Sequence, residues 1–182
     1  MTSIVRYSPP AIVLHWLVAL LIFVAFPLGL YMADLPLSPD KLKLYSYHKW
    51  IGITILMLAG IRVVWRLTHT PPPLPESVAV WQRRASAIVH GLLYLLIFAI
   101  PLSGWLMSSA KGFQVVWFGV LPLPDLIGKD KALGELLTEV HESLNYTLLA
   151  LVVLHVGAAL QHHFIEHQPF LQRMGGGKEK RT

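Results

Sequence analysis

The 182-residue chain is 54% hydrophobic and 14% charged, too little polar surface to clothe a soluble globule of this size, so composition places it among membrane proteins. It has no cysteine, which excludes iron–sulfur clusters, disulfides and thioether-linked c-type haem. The formal charge of +5 would suit a nucleic-acid binder, but the basic residues sit at the ends of apolar runs, where membrane topology accounts for them.

Four apolar runs, about 11–33, 47–66, 87–109 and 140–163, are separated by segments rich in proline, glycine and charge, with no internal repeat. The predicted architecture is an all-α membrane protein, a single domain over 1–182 folded as a four-transmembrane-helix bundle. In the first run, Ala11 to Ala33, the only strongly polar side chain is His15. Its 23 residues, at ~1.5 Å each, span a hydrocarbon core of ~30 Å. The second run carries Lys49 and Arg62 near its ends, where long side chains snorkel to the headgroups, and is stopped by Thr70-Pro71-Pro72-Pro73. The third contains Pro101, which a membrane helix tolerates as a kink. From Lys111 to Glu139 the chain offers Phe113, Trp117 and Phe118 and then Pro122, Pro124, Asp125 and Gly128, and this stretch reads as an interfacial cap. The fourth run, Val140 to Leu160, extends toward water through Gln161, His162 and His163.

Basic residues set the expected orientation. With the N-terminus inside, nine fall on the cytoplasmic side: Arg6, Arg62, Arg66, Arg83, Arg84, Arg173, Lys178, Lys180 and Arg181. The six on the other side, Lys41, Lys43, Lys49, Lys111, Lys129 and Lys131, are accompanied by seven acids. Both termini are therefore assigned to the cytoplasm.

Four of the nine histidines lie inside or at the edge of apolar runs, where an imidazole without a partner is costly. His15 opens the first helix and belongs near the inner face; His48 opens the second and belongs near the outer face. The fourth helix carries His141 at its outer start and His155 fourteen residues later. Fourteen residues turn through ~1400°, close to four whole turns, and rise ~21 Å, so both lie on one stripe at opposite depths. His141 then matches His48, and His155 matches His15. Two bis-histidine sites result, each suited to grip a low-spin b-type haem, with His15, His48, His141 and His155 as the iron ligands. Gly52 and Gly157 remove bulk nearby and leave room for a macrocycle.

Other readings stand beside this one. A lone transmembrane histidine is often an interhelical hydrogen-bonding residue, and a proton-relay protein remains open. A single zinc or copper ion fits poorly with pairs ~21 Å apart along the helix. His90 competes for the inner ligand position, or contacts a haem propionate or a quinone. His162, two turns beyond His155, is a candidate for the same contacts. Met32, Met57 and Met107 are better read as packing filler, and His69 and His167 as solvated loop residues.

These residues resemble the bacterial cytochrome b561 family, whose superoxide oxidase type is its best characterised form. The resemblance runs from Ala11 to Met174 through His15-Trp16-Leu17, His48-x-x-x-Gly52, the His90-to-Pro101 stretch, His141-Glu142-x-Leu144, His155 and the His162-His163 pair. It implies two haem b groups, ligation by His15 with His155 and His48 with His141, residence in the bacterial inner membrane, and electron exchange with ubiquinone. Oxidation of superoxide at the periplasmic side follows as an expectation. Lys49, beside the outer ligand, would supply local positive charge for the anion, although snorkelling is its plainer role. Arg84, His90 and His162 are the quinone candidates, and the lipid bilayer, ubiquinone, superoxide and a periplasmic redox partner the expected associates. The same superfamily includes cytochrome b subunits that anchor hydrogenases, so the alternative is a membrane anchor relaying electrons for a larger oxidoreductase.

Overall fold

Each long helix begins where capping chemistry permits rather than where hydropathy rises. A computed structural model describes residues 6–74, 78–168 and 170–175. Helix α1, Pro9–Asp34, follows Ser8 with proline at its first positions, where a missing N–H costs nothing. Helix α2, Pro39–Thr68, is capped by Ser38, whose side chain accepts from the Lys41 N–H at 3.2 Å. Helix α3, Val80–Ala110, starts with Gln82 reaching back to accept the Ala79 N–H at 3.1 Å. Strands β1 (Val116–Trp117) and β2 (Leu121–Pro122) form a minimal antiparallel hairpin. Helix α4, Lys131–Phe164, is capped by Asp130, which accepts the Leu133 N–H at 3.0 Å. A short α5, Phe170–Met174, ends the described chain.

The four expected spans are present, and α2, α3 and α4 start earlier than their apolar runs. At 30 to 34 residues these three helices are ~45 to 51 Å long against a hydrocarbon core of ~30 Å, so each projects into the headgroups or beyond. His48 therefore lies nine residues inside α2, and His141 ten residues inside α4, rather than at their starts. The expected cap over Lys111 to Glu139 ends at Asp130, because residues 131–139 are already helical. What remains of it is folded tightly: Trp50 Nε1 donates to the Val116 carbonyl at 2.6 Å, Trp105 Nε1 to Pro124 at 3.1 Å, and Trp117 Nε1 to Thr54 Oγ1 at 3.3 Å.

Around the helices, Phe23, Leu95, Val153 and many other large apolar side chains are exposed, a surface compatible with lipid and not with water. α1 packs on α2, α2 on α3 and α3 on α4, whereas neither α1 nor α2 packs extensively on α4. A small core closes the middle of this cleft: Leu96 and Ile100 of α3 and Leu148 of α4, with Ile22 of α1 against them. Leu148 is seven residues from both His141 and His155, and Ile22 is seven from His15, so the layer lies midway between the two histidine pairs.

At the terminal end of the bundle, Arg173 of α5 is buried and its guanidinium donates to the carbonyls of Pro72 and Pro73 at 2.9 and 2.8 Å. Trp16 Nε1 donates to the Met174 carbonyl at 2.8 Å. Lys178, Lys180 and Arg181, counted above toward orientation, lie outside the described residues. Truncating the mid-depth layer by Leu148→Ala is expected to destabilise the bundle by about 2–4 kcal/mol, checked by thermal unfolding in detergent; an unchanged midpoint would show that this layer does not hold the helices together.

Candidate haem-binding sites

The histidines meet as two pairs. His15 of α1 faces His155 of α4 with ring centroids 6.2 Å apart and planes at 69°. His48 of α2 faces His141 of α4 at 6.2 Å and 81°. Across the remaining opening at the second pair lie Ala25, Phe26, Gly52, Pro101 and Asn145.

A b-type haem fits these residues on three counts. Metal–imidazole bonds of about 2 Å, with each ring centre roughly 1 Å behind its nitrogen, put the centroids of two opposed axial ligands about 6 Å apart, the spacing of both pairs. The nitrogens are prepared for it. His141 Nδ1–H donates to the Ile100 carbonyl at 3.1 Å, beside Ser103 Oγ at 3.0 Å, which leaves Nε2 as the lone-pair donor. Nδ1 of His15 is buried without a hydrogen-bond partner among the described residues. Third, backbone makes way. A Cβ on Gly29 would lie 3.2 Å from His48 Cε1, and one on Gly104 3.1 Å from His141 Cε1, while at Gly52 and Gly157 it would meet nothing within 4 Å. Among the described residues no three His, Asp or Glu side chains gather as a single-ion site would need, which argues against the zinc or copper reading.

His90 does not take the place of His15. Its Nδ1 donates to the Ser86 carbonyl at 2.7 Å and its ring lies 5.1 Å from that of His155, too close for an iron between them. It packs beside His155 instead. His162 Nδ1 donates to Glu166 Oε2 at 2.7 Å, and Gln82 Nε2 of α3 donates to the other oxygen at 3.2 Å. The His162 hydrogen bond, the largest cause, holds the Glu166 carboxyl below its usual range, so the carboxylate form is favoured and is lost only as pH falls through the lowered value. Lys49 Nζ donates to the Phe113 carbonyl at 3.3 Å and lies 5.8 Å from the Phe113 ring, tethered to the cap rather than extended to the headgroups. Arg84 is exposed on α3 and joins none of these groups.

Several participants carried no legible signal. Gly29 and Gly104 look like ordinary helix glycines until the fold sets them against imidazoles on another helix. Ser103 and the Ile100 carbonyl are 38 and 41 residues from the ring they orient. Arg62 does not snorkel clear of the bundle: it is half-buried and its guanidinium lies 5.4 Å from the Tyr94 ring.

A family model described as prokaryotic cytochrome b561 matches residues 6–177. The chain belongs to the prokaryotic cytochrome b561 family. It is 38% identical to cytochrome b561 homolog 2 of Escherichia coli K12 over 173 residues, covering 94% of this chain and 92% of that protein. Cytochrome b561 homolog 1 of the same organism is 28% identical over 172 residues, 93% and 96% of the two chains. A Yersinia pestis protein named probable superoxide oxidase CybB is 27% identical over 179 residues, 93% and 95%. Membership makes this chain a multi-pass bacterial membrane protein of electron transfer and implies haem b as its cofactor.

Because each pair draws on a different partner helix, His48→Ala and His155→Ala are each expected to halve the haem content measured against protein, leaving the other haem reducible. Loss of both haems from either variant in a chain that still folds would contradict two independent sites. Gly104→Ala sets a methyl 3.1 Å from His141 Cε1 and 3.3 Å from Nδ1, and is expected to shift the spectrum of the His48–His141 haem alone.

Proposed function

We propose that the chain is a two-haem b-type cytochrome of the bacterial inner membrane that oxidises superoxide at the periplasmic face and reduces ubiquinone near the cytoplasmic face. The observation that carries it is the matched spacing of two imidazole pairs at two depths of α4. The excess of arginine at the terminal end supports placing both termini in the cytoplasm. In that orientation His48–His141 is the periplasmic centre and His15–His155 the cytoplasmic one. The name of the Yersinia pestis relative supports superoxide as the donor.

Haem b held by each pair would supply a reversible one-electron couple. The chain's residues do the rest. His15 with His155 and His48 with His141 would each hold a haem iron, and two imidazoles per iron would favour electron transfer over oxygen binding. The folded cap covers α2 beside His48 and holds the Lys49 ammonium near that centre, where positive charge raises the encounter rate of a small anion. Two superoxide ions lose one electron each to give two molecules of oxygen, and one quinone takes those two electrons with two protons to give the quinol. At the cytoplasmic end, His162 with Glu166 forms a hydrogen-bonded pair able to hold and pass such a proton, and His90 lies against His155.

The test mixes purified chain with a superoxide generator and a short-chain ubiquinone in detergent. Reduction of the haem bands, followed by quinol formation that superoxide dismutase suppresses, is the expected result. A chain that carries its haems but is not reduced by superoxide would refute the stand-alone enzyme and leave the relay subunit. Lys49→Gln is expected to slow reduction by superoxide several-fold, with the effect shrinking at high ionic strength; equal rates would remove Lys49 from the account.

A further inference from the structure

Two arginines stand in the last two turns of α2 with no acid paired to them among the described residues. Arg62 is half-buried with its guanidinium 5.4 Å from the Tyr94 ring, and Arg66, one turn on, lies 5.6 Å from the same ring. The ion pairs among the described residues are Lys43 with Asp40, Lys131 with Glu135, and His162 with Glu166, so none neutralises either guanidinium. An aromatic face offsets part of the cost of holding a cation among apolar helices, and a true counter-anion offsets far more. Arg62 lies fourteen residues beyond His48 on α2, about four turns deeper on the same stripe, which is the depth of the His15–His155 pair. Arg62, half-buried, and Arg66, exposed one turn nearer the helix end, together offer guanidinium donors to an anion at that depth.

We infer that Arg62, seconded by Arg66, binds a carboxylate side chain of the haem held by His15 and His155, and that its charge makes this centre the higher in reduction potential. The inference rests on the two-haem reading. A fixed cation beside an iron centre favours the state with one more electron. The His48–His141 centre is built the other way. The Ile100 carbonyl accepts the His141 N–H and so strengthens that imidazole as a donor, which favours the oxidised iron. Both asymmetries bias an electron toward the end of the bundle that carries the termini.

Redox potentiometry of the purified chain, followed through the visible haem bands, tests this in Arg62→Gln and Arg62→Lys. Arg62→Gln is expected to keep two haems and lower the higher of the two midpoints by about 59 mV, a tenfold change in the one-electron equilibrium. Arg62→Lys is expected to hold that midpoint near the wild-type value, and neither change moves the lower one. Unchanged midpoints in Arg62→Gln, or an equal fall in both variants, would overturn the assignment. Should Arg62→Gln lose one haem outright, retention of that haem by Arg62→Lys supports the assignment and its loss there overturns it. A wild-type chain with a single haem would instead overturn the two-centre reading itself.

Discussion

Everything in this bundle depends on imidazoles from separate helices opposing each other across a cleft between α4 and the α1–α2 pair. Two constraints meet there. Neutral imidazole is costly in hydrocarbon unless something takes its lone pair, and an iron coordinated from both sides needs its ligands at a fixed separation. Both pairs stand 6.2 Å apart, although one bridges α1 to α4 and the other α2 to α4. The fold meets this spacing by packing α4 on α3 and leaving it only slight contact with α1 and α2, part of it in the mid-depth layer around Leu148. That layer is apolar, so it keeps water from the path between the centres while fixing the depth of each.

The two histidine pairs are alike in residue type and spacing and different in surroundings. Beside His141 the chain supplies neutral, oriented groups: the Ile100 carbonyl, the Ser103 hydroxyl and the backbone of Gly104. Beside His155 it supplies a second imidazole from His90 and the guanidinium of Arg62. A protein whose ligand chemistry is identical at both sites can only distinguish them through such neighbours. The ends differ as well. The 111–130 cap is bound to α2 and α3 through tryptophan N–H groups, while α5 is pinned to the start of the chain and to the 72–73 carbonyls by Arg173.

Much of this was legible in the sequence because the bilayer simplifies the reading. Apolar runs mark the spans, and a helix period of 3.6 converts the fourteen residues between His141 and His155 into one stripe at two depths. The pairing with His48 and His15 followed from depth alone, and the structure brings those rings together. Hydropathy could not show where helices start, since Ser38, Gln82 and Asp130 cap them in polar segments outside the runs. It also could not show contacts that depend on the angle between helices. Gly29 meets His48, Gly104 meets His141, and Arg62 meets Tyr94 only once the bundle is assembled. Read from one helix, Arg62 looked like a snorkelling cation; in the assembled bundle its guanidinium lies against the Tyr94 ring of α3.

Electron paramagnetic resonance of the oxidised chain tests the central claim most directly, because the spectrum reports spin state, ligand-plane angle and number of irons together. Ligand planes at 69° and 81° leave the two iron orbitals of π symmetry nearly degenerate. The account expects two low-spin ferric signals of the highly anisotropic type, together equal to two irons per chain. A high-spin signal, the rhombic low-spin signal of parallel imidazoles at either site, or a total of one iron per chain would contradict it.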